Sequence, residues 1–146
     1  MLNNPAPAQT AALQRRDTIA PARPITRVVV ADDDVEALEL LSDVLRGPDI
    51  ELHTAVSGAD LVILLADHGP FDLIVTDINM PWMEGLAVVH SARRAEIQTP
   101  VLFISGVDRP DLTESIDRLG NARLLRKPIA VAAVRGAVRE MLHGPS

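Results

Sequence analysis

The chain has 146 residues, 47% of them apolar, and a formal net charge of −6, which fits one domain with a full hydrophobic core. It has no cysteine, excluding disulfides and thiolate metal sites, and no apolar run near the roughly 18 residues that suggest a membrane span. Its three aromatic residues, Phe71, Trp82 and Phe103, offer no platform for stacking bases.

Residues 1–26 scatter Pro5, Pro7, Pro21 and Pro24 among Ala, Gln and Thr. They are expected to form a disordered tail, with a short helix conceivable over 11–19. No basic segment leads into an apolar stretch there, so a secretion signal is not expected. Arg15, Arg16 and Arg23 against Asp17 give the tail +2, which leaves −8 for the rest of the total of −6. So acidic a domain is a poor partner for nucleic-acid phosphates.

From residue 27 onward, strand and helix patterns alternate. β1 (27–31) is a run of valines ending at Asp32-Asp33-Asp34. α1 (34–46) places Val35, Leu38, Leu41 and Leu45 at helical spacing and stops at Gly47-Pro48. β2 (50–55) precedes α2 (58–68), for which Ser57 is the N-cap. β3 (71–76) is apolar almost throughout, as a strand covered on both faces should be, and it delivers Asp77. α3 (85–95) follows. Pro100 opens β4 (101–105), which ends at Ser105; α4 (111–119) turns Leu112, Ile116 and Leu119 inward. β5 (122–126) delivers Lys127-Pro128, and α5 (129–142) turns Val131, Val134, Val138 and Met141 inward. Residues 143–146 leave no room for an output module, so none is expected. Five such units imply a flavodoxin-like, doubly wound five-stranded parallel sheet of order 2-1-3-4-5 with helices on both faces. Its ligand site lies beyond the carboxyl ends of β1 and β3.

Four strand ends thus offer an acid cluster, a single acid, a hydroxyl and an amine. Lys127 is the only lysine beside thirteen arginines. A compact ammonium on a flexible stem suits contact with a single phosphoryl oxygen better than a planar fork does. A carboxylate can accept a phosphoryl group as a mixed anhydride, and transfer is mostly positioning and charge neutralisation. Plainer readings exist. Asp32 to Asp34 can be the cap and first turn of α1, which is the expectation for Asp34. Asp77 can be a loop cap, Ser105-Gly106 an ordinary turn, and Lys127 a solvated charge. Only the phosphoryl reading uses all of them together. His53, His68, His90 and His143 are scattered and show no metal-ligand spacing.

With these residues in this order, the chain resembles the receiver domain of two-component response regulators over about 27–142. The motifs are the Asp pair after β1, Asp77-x-x-Met80-Pro81 with Gly85 beyond it, Ser105-Gly106, and Lys127-Pro128. The resemblance implies that Asp77 is the phosphoacceptor. It implies Mg2+ between Asp33 and Asp77, with the backbone carbonyl of Asn79 as a third ligand and Asp32 acting through a metal-bound water. Lys127 and Ser105 then bind phosphoryl oxygens, and the bond before Pro128 is a cis candidate. The implied donor is a histidine kinase or a histidine phosphotransfer protein, with an unknown downstream protein target. No direct nucleic-acid or membrane partner is implied. Such a domain is cytoplasmic and not an enzyme in the usual sense; it catalyses its own phosphotransfer and loses the group slowly.

The chain departs from the family at Leu124, where many receivers carry the Phe or Tyr of a switch with Ser105. The Asp77 to Ser105 spacing is also slightly short, which points to a trimmed α3–β4 connection. The apolar loop Met80-Pro81-Trp82-Met83 can fold onto α3, shield the site or meet a partner. Glu114 and Asp117 on α4, opposite Arg135 and Arg139 on α5, suggest a phosphorylation-dependent homodimer. Two other readings compete. A haloacid dehalogenase-like phosphatase would use Asp32 as nucleophile and Asp34 as acid/base, but it needs a later acidic pair that residues 130–146 lack, and it leaves Asp77 unused. A degenerate receiver acting only as a binding module would leave the complete set of site residues without a purpose.

Overall fold

The computed structural model describes residues 24–144; the short helix considered over 11–19 lies outside them. In chain order the elements are β1 (Thr26–Ala31), α1 (Val35–Leu45), β2 (Ile50–Ala55), α2 (Gly58–Asp67), β3 (Leu73–Asp77), α3 (Gly85–Arg94), β4 (Val101–Ser105), α4 (Leu112–Leu119), β5 (Ala122–Arg126) and α5 (Val131–His143). The strands form one parallel sheet of order β2-β1-β3-β4-β5, the doubly wound arrangement expected from the sequence.

Alternation along each strand splits the core into two layers. Val29, Ala31, Ile74 and Phe103 face one side, where Leu61, Val88, Val89, Leu112 and Ile116 of α2, α3 and α4 cover them. Val28, Val30, Leu73, Val75, Leu102 and Ile104 face the other, under Leu41 and Leu45 of α1 and Val134 and Ala137 of α5. The parallel ladders set the register of β1, β3 and β4. Ala31 lies opposite Thr76 and Thr76 opposite Phe103. Asp32, just past the end of β1, and Asp77, the last residue of β3, therefore reach the same rim.

Several boundaries differ from the periodicity. Asp34 is the N-cap of α1 rather than its first residue, its carboxylate accepting from the Glu36 N–H. Val35 is 59% exposed, so it does not join Leu38, Leu41 and Leu45; it sits where the first turn leaves the sheet, and Ala37 and Ser42 take the buried positions instead. β3 starts at Leu73, where the regular ladder takes over from a side-chain contact of Asp72. The Arg27 N–H donates to Asp72 Oδ2 at 2.7 Å, and the Asp72 N–H donates to the Arg27 carbonyl. Phe71 is buried all the same, beneath the Arg27 guanidinium at 4.7 Å. α5 begins at Val131, with Ala130 as its N-cap. Near Phe71, away from the Asp32–Asp77 rim, His53 bonds Glu51 at 2.8 Å and meets Phe71 edge-on at 5.3 Å. His68, on the α2 cap, lies 6.1 Å from it.

Candidate functional site

The three acids after β1 are divided by their surroundings. Asp32 is fully buried, with its N–H bonded to the Ala55 carbonyl and its Oδ1 accepting the Asp34 N–H at 2.9 Å. Asp33 is exposed, and Asp34 caps α1. From β3 comes Asp77, 6% exposed, whose Oδ1 accepts the Asn79 N–H at 3.2 Å. β4 brings Ser105, fully buried, with Oγ accepting the Val107 N–H at 2.9 Å. The Lys127 N–H donates to the Ser105 carbonyl, which holds the start of the β5–α5 connection beside β4. The Lys127 ammonium then reaches back across the strand ends. It donates to Asp77 Oδ2 at 2.9 Å and to Asp32 Oδ2 at 3.1 Å.

One carboxylate oxygen each from Asp32, Asp33 and Asp77 lies within 4.8 Å of the other two. Three carboxylates and one ammonium leave the pocket formally negative. Burial raises the Asp32 carboxyl above its ordinary value; the Asp34 N–H bond opposes this, and the nearby Asp77 charge adds to it. Burial pulls the Lys127 ammonium down, yet its bonds to Asp77 and Asp32 outweigh that and hold it above the usual lysine range. An all-oxygen, anionic donor set with one exposed member suits a hard cation that keeps several waters, as Mg2+ does.

The remaining expected positions are spread around this centre. Leu124 is half-buried, in register with Phe103, and packs against the core layer under α2 to α4. The Lys127–Pro128 peptide bond is cis, as is Gly69–Pro70. In the β3–α3 loop Met80 is buried, whereas Trp82 is 90% exposed and adopts φ 73°, a left-handed conformation uncommon outside glycine. Within one chain, among the described residues, the α4 acids and the α5 arginines suggested for a homodimer do not pair with each other. Glu114 pairs with Arg118 of its own helix at 2.9 Å. Arg135 and Arg139 line a groove with Val44 and Leu45 of α1, because the helical period turns them that way. The arginine that meets an α5 acid is Arg123 of β5, paired with Glu140.

Two supporting contacts are invisible in the linear pattern. Thr76 Oγ1 donates to the Asp77 carbonyl at 2.9 Å. A Cβ on Gly85 would lie 2.2 Å from that same oxygen, so the α3 N-terminus sits directly against the backbone of the acid. Gly85→Ala is expected to destabilise the fold by about 1–3 kcal/mol, the range for overpacking a tight site. Urea unfolding checks this; an unchanged midpoint would mean the contact relaxes at no cost.

The response regulator receiver domain family model matches residues 28–139. The chain belongs to that family. Its receiver is 34% identical over 117 residues to the transcriptional regulatory protein PrrA of Mycobacterium tuberculosis, a match over 80% of this chain and 50% of PrrA. The chain thus spans about half the length of that relative. Among solved structures, the receiver domain of the Francisella response regulator 1452 aligns with TM-score 0.72 and 25% identity, over 80% of this chain and 96% of that one. The Vibrio cholerae chemotaxis response regulator CheY4 aligns with TM-score 0.71 and 25% identity, over 81% and 99%. Receiver domains are signalling domains, mostly not enzymes, that interact with histidine kinases and downstream targets. No helix among the described residues is long and apolar enough to cross a membrane.

Proposed function

We propose that this receiver takes a phosphoryl group from a phosphohistidine, on a histidine kinase or a histidine phosphotransfer protein, onto Asp77, and signals through altered protein contacts in the cytoplasm. The observation that carries this reading is the Lys127 ammonium, held at 2.9 Å from Asp77 and 3.1 Å from Asp32 in a pocket closed by Ser105. In the reaction an Asp77 carboxylate oxygen attacks phosphorus, the P–N bond of the donor breaks, and the imidazole leaves with its electron pair. The product is an acyl phosphate. Lys127 holds Asp77 in place beforehand and then pairs with a phosphoryl oxygen; Ser105 turns its hydroxyl proton to another. Mg2+ would be held by Asp33, Asp77 and the Asn79 carbonyl, with Asp32 acting through water, and when bound it neutralises charge between the acceptor and the phosphoryl oxygens.

Phosphoramidate, a small P–N donor, tests this. Label should appear on the wild-type chain with Mg2+ and disappear with a chelator; label that is indifferent to the chelator would overturn the proposed role of the cation. Asp33→Ala is expected to weaken Mg2+ binding about tenfold or more, since it removes the one exposed carboxylate of the cluster. Trp82 fluorescence, a few residues from Asp77, reports the titration, and undiminished binding would count against this ligand set.

Loss of the phosphoryl group should be slow. The side chains two residues beyond Asp77 and Ser105 are Asn79 and Val107, and Val107 has no polar atom to orient a water. Val107→Glu is expected to speed hydrolysis several-fold. An unchanged or slower rate removes the basis for that assignment. Leu124, already inward, has no second position as distinct as an aromatic ring would have, so it supplies little differential free energy to a switch. The response to phosphorylation is therefore assigned to the Ser105 loop and α4. A phosphorylation-dependent homodimer through Glu114 and Asp117 of one copy and Arg135 and Arg139 of another stays part of this proposal.

A further inference from the structure

Arg109 lies four residues beyond Ser105, in the loop between β4 and α4. Its Nη1 is 3.8 Å from Glu84 Oε1, within electrostatic reach but beyond the roughly 2.7–2.9 Å of a charge-assisted hydrogen bond. Its Nε is buried and donates to nothing. Among the described residues it is the one buried side-chain nitrogen or oxygen without a hydrogen-bond partner. Buried donors are almost always satisfied, and an unmade bond on a charged group is the costlier case. Glu84 is also incompletely used: it stands at the N-cap of α3 but makes no side-chain cap bond.

These two residues lie on the two loops that flank the site, one leading from Asp77 and the other from Ser105. The β4–α4 loop is tied on its opposite side by Arg126, which donates to the Val107 carbonyl at 3.1 Å and to Asp108 Oδ1 at 3.2 Å. It is tied forward by Arg109 itself, whose carbonyl accepts the Leu112 N–H at the first turn of α4. Toward α3 it has only the open Glu84 contact. A movement of about 1 Å would bring that contact to hydrogen-bond length, and a movement of Ser105 toward a group on Asp77 pulls on the same short loop.

We propose that Glu84 and Arg109 form a latch that closes between the β3–α3 and β4–α4 loops when a phosphoryl group occupies Asp77, so that Arg109 is a positioning residue for the phosphorylated state. This rests on the phosphoacceptor reading above. Closure adds its free energy only to the occupied state, and a ligand shifts an equilibrium by its difference in affinity for the two states. The unmodified protein gains little from a loose contact on half-exposed side chains. The latch therefore acts on phosphoryl retention and leaves cation binding alone.

Beryllofluoride, a phosphoryl mimic, tests this with the full chain and Mg2+. Glu84→Gln and Arg109→Gln should each weaken beryllofluoride binding about tenfold, within the usual span of coupling between sites, with the Mg2+ affinity of both variants unchanged. The double variant should lose no more than either single one, because the two residues act as a pair. The charge-exchanged Glu84→Arg/Arg109→Glu protein should recover much of the loss, which a merely structural role would not produce. Wild-type binding of beryllofluoride with single losses that add, with no recovery on exchange, or with no effect of either substitution overturns the latch alone. No binding by the wild-type chain overturns the phosphoacceptor reading itself.

Discussion

Asp77→Asn will take up no label from acetyl phosphate and Mg2+, while the protein stays folded. The substitution removes the nucleophilic oxygen, and neither Asp32 nor Asp34 is free to replace it. Asp32 has both oxygens engaged, Oδ1 by the Asp34 N–H and Oδ2 by Lys127, and no exposed surface. Asp34 is spent on the α1 cap. The fold should hold because asparagine can still accept the Asn79 N–H through its amide oxygen. Its thermal midpoint should equal or exceed that of the wild type, since one of three crowded carboxylates loses its charge and like charges at this separation repel. Autoradiography and a thermal melt on the same sample check both parts. Residual label on a folded Asp77→Asn protein would point to another acceptor.

Lys127→Met is expected to be the most destabilising single change at the site. It deletes the cation that Asp77 and Asp32 share and leaves two nearly solvent-free carboxylates facing one another. Removing one partner of a buried pair costs about 3–5 kcal/mol. Because the Lys127 side chain is 25% exposed, about 2–3 kcal/mol is the reasonable expectation. For a domain of this size that corresponds to a fall of about 10 °C in the melting midpoint without Mg2+. Excess Mg2+ should recover part of the fall, since a cation that binds only the folded form stabilises it by mass action. Lys127→Arg should fold better than Lys127→Met yet label poorly, because a planar fork cannot place a single compact charge between two carboxylate oxygens. A Lys127→Met midpoint equal to the wild type would mean that solvent screens the cluster.

The central strands were legible because burial on both faces writes a nearly unbroken apolar run that ends in an acid, as at Val30-Ala31-Asp32 and Val75-Thr76-Asp77. Their common rim followed from the doubly wound order. The helices were legible in their interiors and less so at their ends: Val35 matched the helical period of α1 but belongs to a first turn that points away from the sheet. Phe71 and Asp72 read as strand by composition, but the Asp72 carboxylate takes the Arg27 N–H in place of a backbone carbonyl, and the regular ladder starts only at Leu73. Contacts between distant loops left no local trace. Nothing around Gly58 announces that a Cβ there would lie 1.9 Å from the Met83 carbonyl, or that His53 and His68 meet. Helical spacing puts Arg135 and Arg139 on one face but does not say that this face borders a groove with Val44 and Leu45 of α1. Glu84 and Arg109 are equally silent in one dimension, since neither lies in a motif and only the fold brings them together.

Reductive trapping tests the central claim most directly. The wild-type chain is incubated with acetyl phosphate and Mg2+, treated with borohydride, and digested for peptide mass mapping. An acyl phosphate at the acceptor is reduced, and the account predicts homoserine in place of Asp77 and nowhere else. Homoserine in place of Asp32, or no reduced residue at all, would contradict it.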